Sequence, residues 1–300
     1  MMLLRAQGLL YCAIGGAVAA AAAAGLAPAL DGAAMLVLLA ALIFLLGVPH
    51  GALDPLFAEE LYGVHGRRRW CGFVLAYVGA ALLVVLLWRY APSLFLAGFL
   101  LLSALHFSGD PARGSRRTAR LLYGGAVIVL PALFHEGEMA RLFAFLVMAP
   151  MAAAQAGVLH QLSGPWLLAT ALTAAWQARS NWLSGLEMAV TAALALMAPP
   201  LLGFAVFFCA MHSARHMVRT WQYVGADADA AARLGRVALL PMLATLGLGA
   251  AAAFYWRAQP LEAALMQWLF VGLAALTVPH MALVEPVRWR DWVRPSAGVG

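Results

Sequence analysis

The chain has 300 residues, of which 64% are hydrophobic and only 11% charged, and its mean hydropathy is +0.86. Soluble globular chains carry about 25% charged residues, and here no stretch of about 40 residues is polar enough to fold in water, which excludes a separate soluble catalytic or nucleic-acid-binding module and leaves one integral membrane domain over residues 1–300. The net charge of +6 comes from 19 basic residues, all arginine, clustered in short loops; that is a topology signal and not a polyanion-binding face.

In chain order, the first apolar run is Gly8–Leu30. It follows Arg5 and ends in Ala27-Pro28-Ala29, which resembles a signal-peptidase site, but its apolar length suits a span of roughly 20 residues, so it is read as an uncleaved first helix. Further spans are predicted at Ala33–Leu53, Trp70–Tyr90, Pro92–Phe107, Ala119–Phe134, Arg141–Leu159, Pro165–Gln177, Gly185–Met197, Leu201–Val218, Arg236–Trp256 and Ala263–Val284. Arg5, the Arg67-Arg68-Arg69 run, the Arg113/Arg116/Arg117/Arg120 loop, the Arg219/Arg233/Arg236 loop and the tail with Arg288, Arg290 and Arg294 all read as cytoplasmic. The Phe134–Ala140 turn, carrying Glu136 and Glu138, then falls outside, and an odd number of crossings must lead from it to Arg219. Four candidates lie in that interval, so one of the short segments Pro165–Gln177 and Gly185–Met197 is expected to be re-entrant, or the pair irregular. The fold class that follows is all-α: a polytopic transmembrane helix bundle of about ten spans with both termini cytoplasmic, multi-pass in the inner (plasma) membrane. Cys12, Cys71 and Cys209 are scattered without CxxC spacing, and no disulfide is expected.

Five of the eight histidines end spans on the same side. His50 closes the second span, His106 the fourth, His212 and His216 sit near the end of Leu201–Val218, and His280 closes the last. Polar groups are costly in a bilayer and mark function when they recur at one depth. The i, i+4 pair His212/His216 shares one helix face and can offer two imidazoles to one metal ion. An all-imidazole set suits iron, copper or zinc. Asp54 and Asp110 each follow a histidine by four residues, so on a continuous helix each carboxylate reaches the second ring N–H of His50 or His106; capping a helix end is the other reading. Glu285, five residues past His280, fits that spacing less well. His65, His135 and His160 fall in loops or at the other end of a span and read as structural.

The segments GVPHGALDP, HFSGD, HSARH and VPHMALVE, in this order between about Gly47 and Glu285, resemble the Brp/Blh family of membrane-bound β-carotene 15,15'-dioxygenases. The resemblance implies a non-haem iron enzyme holding Fe(2+) on His50, His106, His212 and His216, with His280 as a further ligand or as a support to the ligands, alongside Asp54, Asp110 and Glu285. It implies β-carotene, O2 and the lipid bilayer as partners, cleavage of the central double bond into two retinal molecules, and an opsin as a recipient of the product. HFSGD departs from the family pattern, in which a second acid precedes the aspartate.

A C40 polyene dissolves only in the bilayer, which suits an enzyme built as a membrane domain. A substrate about 30 Å long whose central bond lies near one leaflet must lie tilted or flat, in a tunnel opening sideways. Residues one turn from the histidines are the expected lining: Phe44, Leu46, Leu102, Phe107, Phe208, Met211, Thr277 and Met281. Two other function classes compete. A membrane di-iron desaturase or hydroxylase needs several HxxxH and HxxHH boxes, against the single HxxxH here; a His-lined transporter or proton pathway explains polar residues in the membrane but not their confinement to one leaflet. A bis-His haem protein is a third reading.

Overall fold

A computed structural model describes residues 2–26, 33–225, 228–255, 259–288 and 292, and among these every regular element is a helix. The signal-peptidase-like Ala27-Pro28-Ala29, Arg290 and Arg294 lie outside the described residues. The order is α1 (Met2–Ala23), α2 (Ala33–Leu42), a π-helical segment (Ile43–Gly47), a 3-10 turn (Val48–Leu53), α3 (Asp54–Tyr62), α4 (Arg67–Tyr90), α5 (Pro92–Phe107), α6 (Arg117–Val129), α7 (Ala132–Ala144), α8 (Ala149–Ala178), α9 (Trp182–Met197), α10 (Pro200–Val206), a second π segment (Phe207–Ser213), α11 (Ala214–Val224), α12 (Ala228–Tyr255) and α13 (Leu261–Arg288). Local chemistry sets several ends. Pro92 and Pro200 open α5 and α10, where a missing N–H costs nothing, and the Asn181 side chain accepts from the Ser184 N–H at 3.3 Å to cap α9.

Among the described residues, six helical stretches are long and apolar enough to cross a bilayer: 2–23, 34–62, 67–90, 200–224, 229–251 and 261–288. The pair α6 and α7, bent by 59°, makes a seventh if counted as one span. None of the most apolar window of α4 is buried, and only 6% of that of α12, so these two helices form the apolar outside of the bundle.

Three features differ from the sequence reading. The break expected near residues 160–165 is absent: α8 runs unbroken through Pro165, with the Ser163 hydroxyl donating to the His160 carbonyl at 2.6 Å just before it. The bend falls instead at Leu130-Pro131, inside the expected span Ala119–Phe134. Both prolines remove an i→i−4 bond, and periodicity cannot say which of the two helices keeps going. The chain from Phe134 to Ala140, expected as an external turn, is helical within α7, and Arg141–Leu159 is divided by the non-helical residues 145–148. Finally, Arg120, Arg219 and Arg288, read as part of cytoplasmic loop and tail clusters, are buried, because each lies on an inward face of α6, α11 or α13.

Contacts fix the relative directions of the helices. Arg5 lies over the Trp182 ring and Tyr11 Oη meets Thr191 Oγ1 at 2.7 Å, so α1 and α9 run parallel. His160 Nδ1 bonds the Ala132 carbonyl, Trp166 Nε1 donates to the Leu122 carbonyl and Arg116 lies over Trp176, so α8 runs antiparallel to the bent α6–α7 pair along its whole length. The main apolar core, with Tyr11, Ile43, Phe207 and Met211 fully buried, fills the space between α1, α9, α10 and both π segments. A second cluster of Leu53, Leu56, Phe57, Val284 and Val287 closes the bundle on the other side of the histidines.

Candidate metal centre

Two irregular segments build the centre. The π turns Ile43–Gly47 and Phe207–Ser213 pack against each other, and each extra residue per turn re-aims the side chains that follow. Ser213 Oγ donates to the Leu46 carbonyl at 2.6 Å and Cys209 Sγ to the Leu42 carbonyl at 3.5 Å, satisfying carbonyls where the helical ladder is disturbed. Gly47 is required by the contact itself: a Cβ there would run into the Phe208 ring. Phe208 in turn stacks on the His212 ring at 5.6 Å and meets His50 edge-on at 5.5 Å.

The structure brings His50, His106, His212, His216 and His280 together, all buried. Ring centroids lie 4.9 Å apart for His50 and His212, 4.6 Å for His106 and His212, 5.2 Å for His50 and His280, and 5.4 Å for His50 and His216. One nitrogen each from His50, His106 and His212 lie within 4.8 Å of one another. The Nε2 atoms of His212, His216 and His280 are buried and have no hydrogen-bond partner among the described residues. An unsatisfied buried nitrogen costs about 1–3 kcal/mol, and three imidazole nitrogens in one cluster could hold a shared cation.

The second nitrogens are anchored, though not by the partners that spacing suggests. His212 Nδ1 donates to Asp110 at 2.9 Å, and His280 Nδ1 donates to Asp54 Oδ1 at 2.6 Å, which leaves the lone pair of each ring on Nε2. Each aspartate thus serves a histidine of another helix. The i, i+4 pairing fails because residues 48–53 form a 3-10 turn, and because the chain leaves α5 at Phe107 and turns before Asp110. His50 Nδ1 bonds the Gly47 carbonyl, and His216 Nδ1 stands 3.3 Å from Thr220 Oγ1. Arg288 faces His106 Nδ1 at 2.6 Å and also donates to the His106 carbonyl. Glu285 is 3.5 Å from the same Nδ1 and pairs with Arg288 at 2.8 Å; five residues along α13 from His280, it points to another face of the helix.

Among the expected tunnel residues, Phe44, Phe107, Phe208 and Met211 are buried, Leu102, Thr277 and Met281 are half-buried, and Leu46 is exposed on the outer surface. Phe107 meets the His212 ring at 4.9 Å, and an aromatic run continues from Phe208 through Phe204 to Phe270 and Phe99. His135 and His160 stand apart from the centre, bonded to the Leu196 and Ala132 carbonyls. Residues the sequence reading missed are Tyr77, whose hydroxyl donates to Asp54 Oδ2 at 2.7 Å, together with Thr220, Arg215 and Glu187. Glu187 had a signal, as a lone acid inside an apolar segment.

Residues 41–287 match the family model described as Beta-carotene 15,15'-dioxygenase. The chain is 30% identical over 252 residues, 82% of its length and 91% of the relative's, to the Beta-carotene 15,15'-dioxygenase of an uncultured marine bacterium, 66A03. It is 27% identical over 293 residues, covering 83% of this chain and 82% of the relative, to the Probable beta-carotene 15,15'-dioxygenase Blh of Halobacterium salinarum. No solved structure is significantly similar.

Proposed function

The chain belongs to the beta-carotene 15,15'-dioxygenase family, and from that premise we propose that it is an iron-dependent membrane enzyme that cleaves the central double bond of β-carotene with O2 into two retinal molecules. The balance is simple: one C=C bond and one O=O bond are lost, and each half-molecule leaves with one oxygen atom in a new aldehyde.

The observation that carries this reading is the set of unpartnered Nε2 atoms on His212, His216 and His280 beside the close triad of His50, His106 and His212. Bound Fe(II) would supply the capacity to bind O2 and exchange electrons at positions the imidazoles leave open. His50, His106, His212 and His216 are the proposed ligands, with His280 as a fifth or as a support. Asp54 and Asp110 hold His280 and His212 in orientation, and Phe107 and Phe208 wall the centre with apolar surface that keeps water away from it. The polyene lies in the cytoplasmic leaflet, its central bond at the histidines, in a tunnel bordered by Phe44, Leu102, Phe107, Phe208, Met211, Thr277 and Met281, with the surface-exposed Leu46 at its lateral opening.

The proposed topology has ten passes with both termini cytoplasmic, as one integral domain of the inner membrane. It is supported by counting the bent α6–α7 pair, α8 and α9 as one pass each, which leaves Arg5, Arg116 and Arg179 on one side. A free opsin is the natural acceptor for a retinal released into the bilayer. Expression in β-carotene-producing cells tests the reaction: loss of the orange colour with accumulation of retinal is expected, and unchanged carotene would contradict it.

A further inference from the structure

Buried side chains outside the histidine cluster converge on the loop that follows His106. Arg215 and Arg219 lie four residues apart on one face of α11, and both are buried. Arg219 donates to three successive carbonyls, those of Gly109 at 2.8 Å, Asp110 at 2.9 Å and Pro111 at 3.0 Å. Arg215 donates to the Asp110 carbonyl at 3.1 Å and to both carboxylate oxygens of Glu187 on α9, at 2.9 and 2.5 Å. Its Nε–H donates to Gln7 Oε1 on α1 at 2.8 Å.

Two guanidinium groups therefore hold the carbonyls of a short loop beyond the end of α5, and their fixed fork geometry suits several carbonyls at once. The charged side chain among the three residues so held, Gly109–Pro111, is Asp110, the partner of His212 Nδ1. The same stretch of chain, residues 212–219, thus carries the histidine and both arginines that hold that histidine's carboxylate in place. Glu187 touches none of the five histidines, yet it is buried at 4% exposure and neutralises Arg215. A buried ion pair is a weak source of stability, and ionisable groups among apolar spans mark function.

We propose that Arg219 and the Glu187–Arg215 pair are positioning residues of the metal centre, fixing the Gly109–Pro111 loop so that Asp110 meets His212. The proposal rests on the metal reading above. These residues do not touch the metal; they act through one carboxylate.

The test is a Co(II) titration of the purified full-length chain in detergent, followed by the visible ligand-field absorption. Arg219→Met and Glu187→Gln are each expected to weaken Co(II) binding about 10- to 100-fold and to change the ligand-field band, as removal of support to a ligand does. The double variant Arg219→Met/Asp110→Asn is expected to bind no more weakly than Asp110→Asn alone, because residues that act through one group are not additive. Additive losses, or an Arg219→Met affinity within about two-fold of the parent, overturn the proposal. If the Met variant does not fold, Arg219→Lys carries the same cycle, since an ammonium keeps the charge but lacks the planar two-nitrogen fork with which Arg219 spans the three carbonyls. A parent chain that binds no Co(II) overturns the metal reading itself, and the proposal with it, so the two failures are distinct.

Discussion

Replacing His50, His106, His212 or His216 by Ala should remove bound iron and activity together, and full iron occupancy in any one variant would contradict its assignment as a ligand. For His280→Ala the expected outcome is partial loss of metal, measured by elemental analysis of the purified variant. Asp54→Asn and Asp110→Asn keep size and lose charge, so iron affinity should fall about 10- to 100-fold in a competition titration. Tyr77→Phe removes only the bond to Asp54 Oδ2 and should cost less than either. The five histidines were legible as a group because an imidazole stands out in an apolar span, and all five lie towards the ends of such spans in short motifs. Their partners were not legible. A spacing of four implies contact only on a regular helix, and both His50 and His106 lie where regular geometry stops, so Asp54 and Asp110 reach across to other helices.

The irregularities are themselves elements with work to do. A π turn holds one more residue than the α turn it replaces, so deleting Cys209 from Phe207–Ser213 should restore a regular helix and rotate His212 by about 100° relative to the residues before the deletion. Helix content by circular dichroism should stay near that of the parent while metal binding is lost; retained metal binding would show that the π turn is dispensable. Such turns leave no compositional mark, which is why hydropathy gave α2 and α10–α11 as plain spans. The bends were misplaced for a related reason. Pro131 and Pro165 look alike in sequence, and only neighbours decide: α8 packs along α6 and α7 throughout its length and is held straight, whereas the chain at Leu130-Pro131 bends by 59°.

At the scale of the whole molecule, the membrane class was legible from composition, since 11% charged residues cannot clothe a soluble surface, and the all-helical class from apolar runs of about 20 residues. Residues 145–148 and the unbroken α8 needed three-dimensional contacts. If α8 crosses once as proposed, a single cysteine at Ser180, introduced with the three native cysteines replaced, should be labelled by a membrane-impermeant thiol reagent only after the cytoplasmic face is opened; labelling from outside intact cells would contradict the proposed ten-pass topology. Narrowing the proposed tunnel with Leu102→Trp or Thr277→Trp should lower β-carotene turnover much more than iron content. The most direct test of the central claim is the product balance of the purified, iron-loaded chain given β-carotene and isotopically labelled O2. Two retinal molecules per O2 consumed, each with one labelled oxygen, is the predicted result, and intact β-carotene despite full iron loading would contradict it.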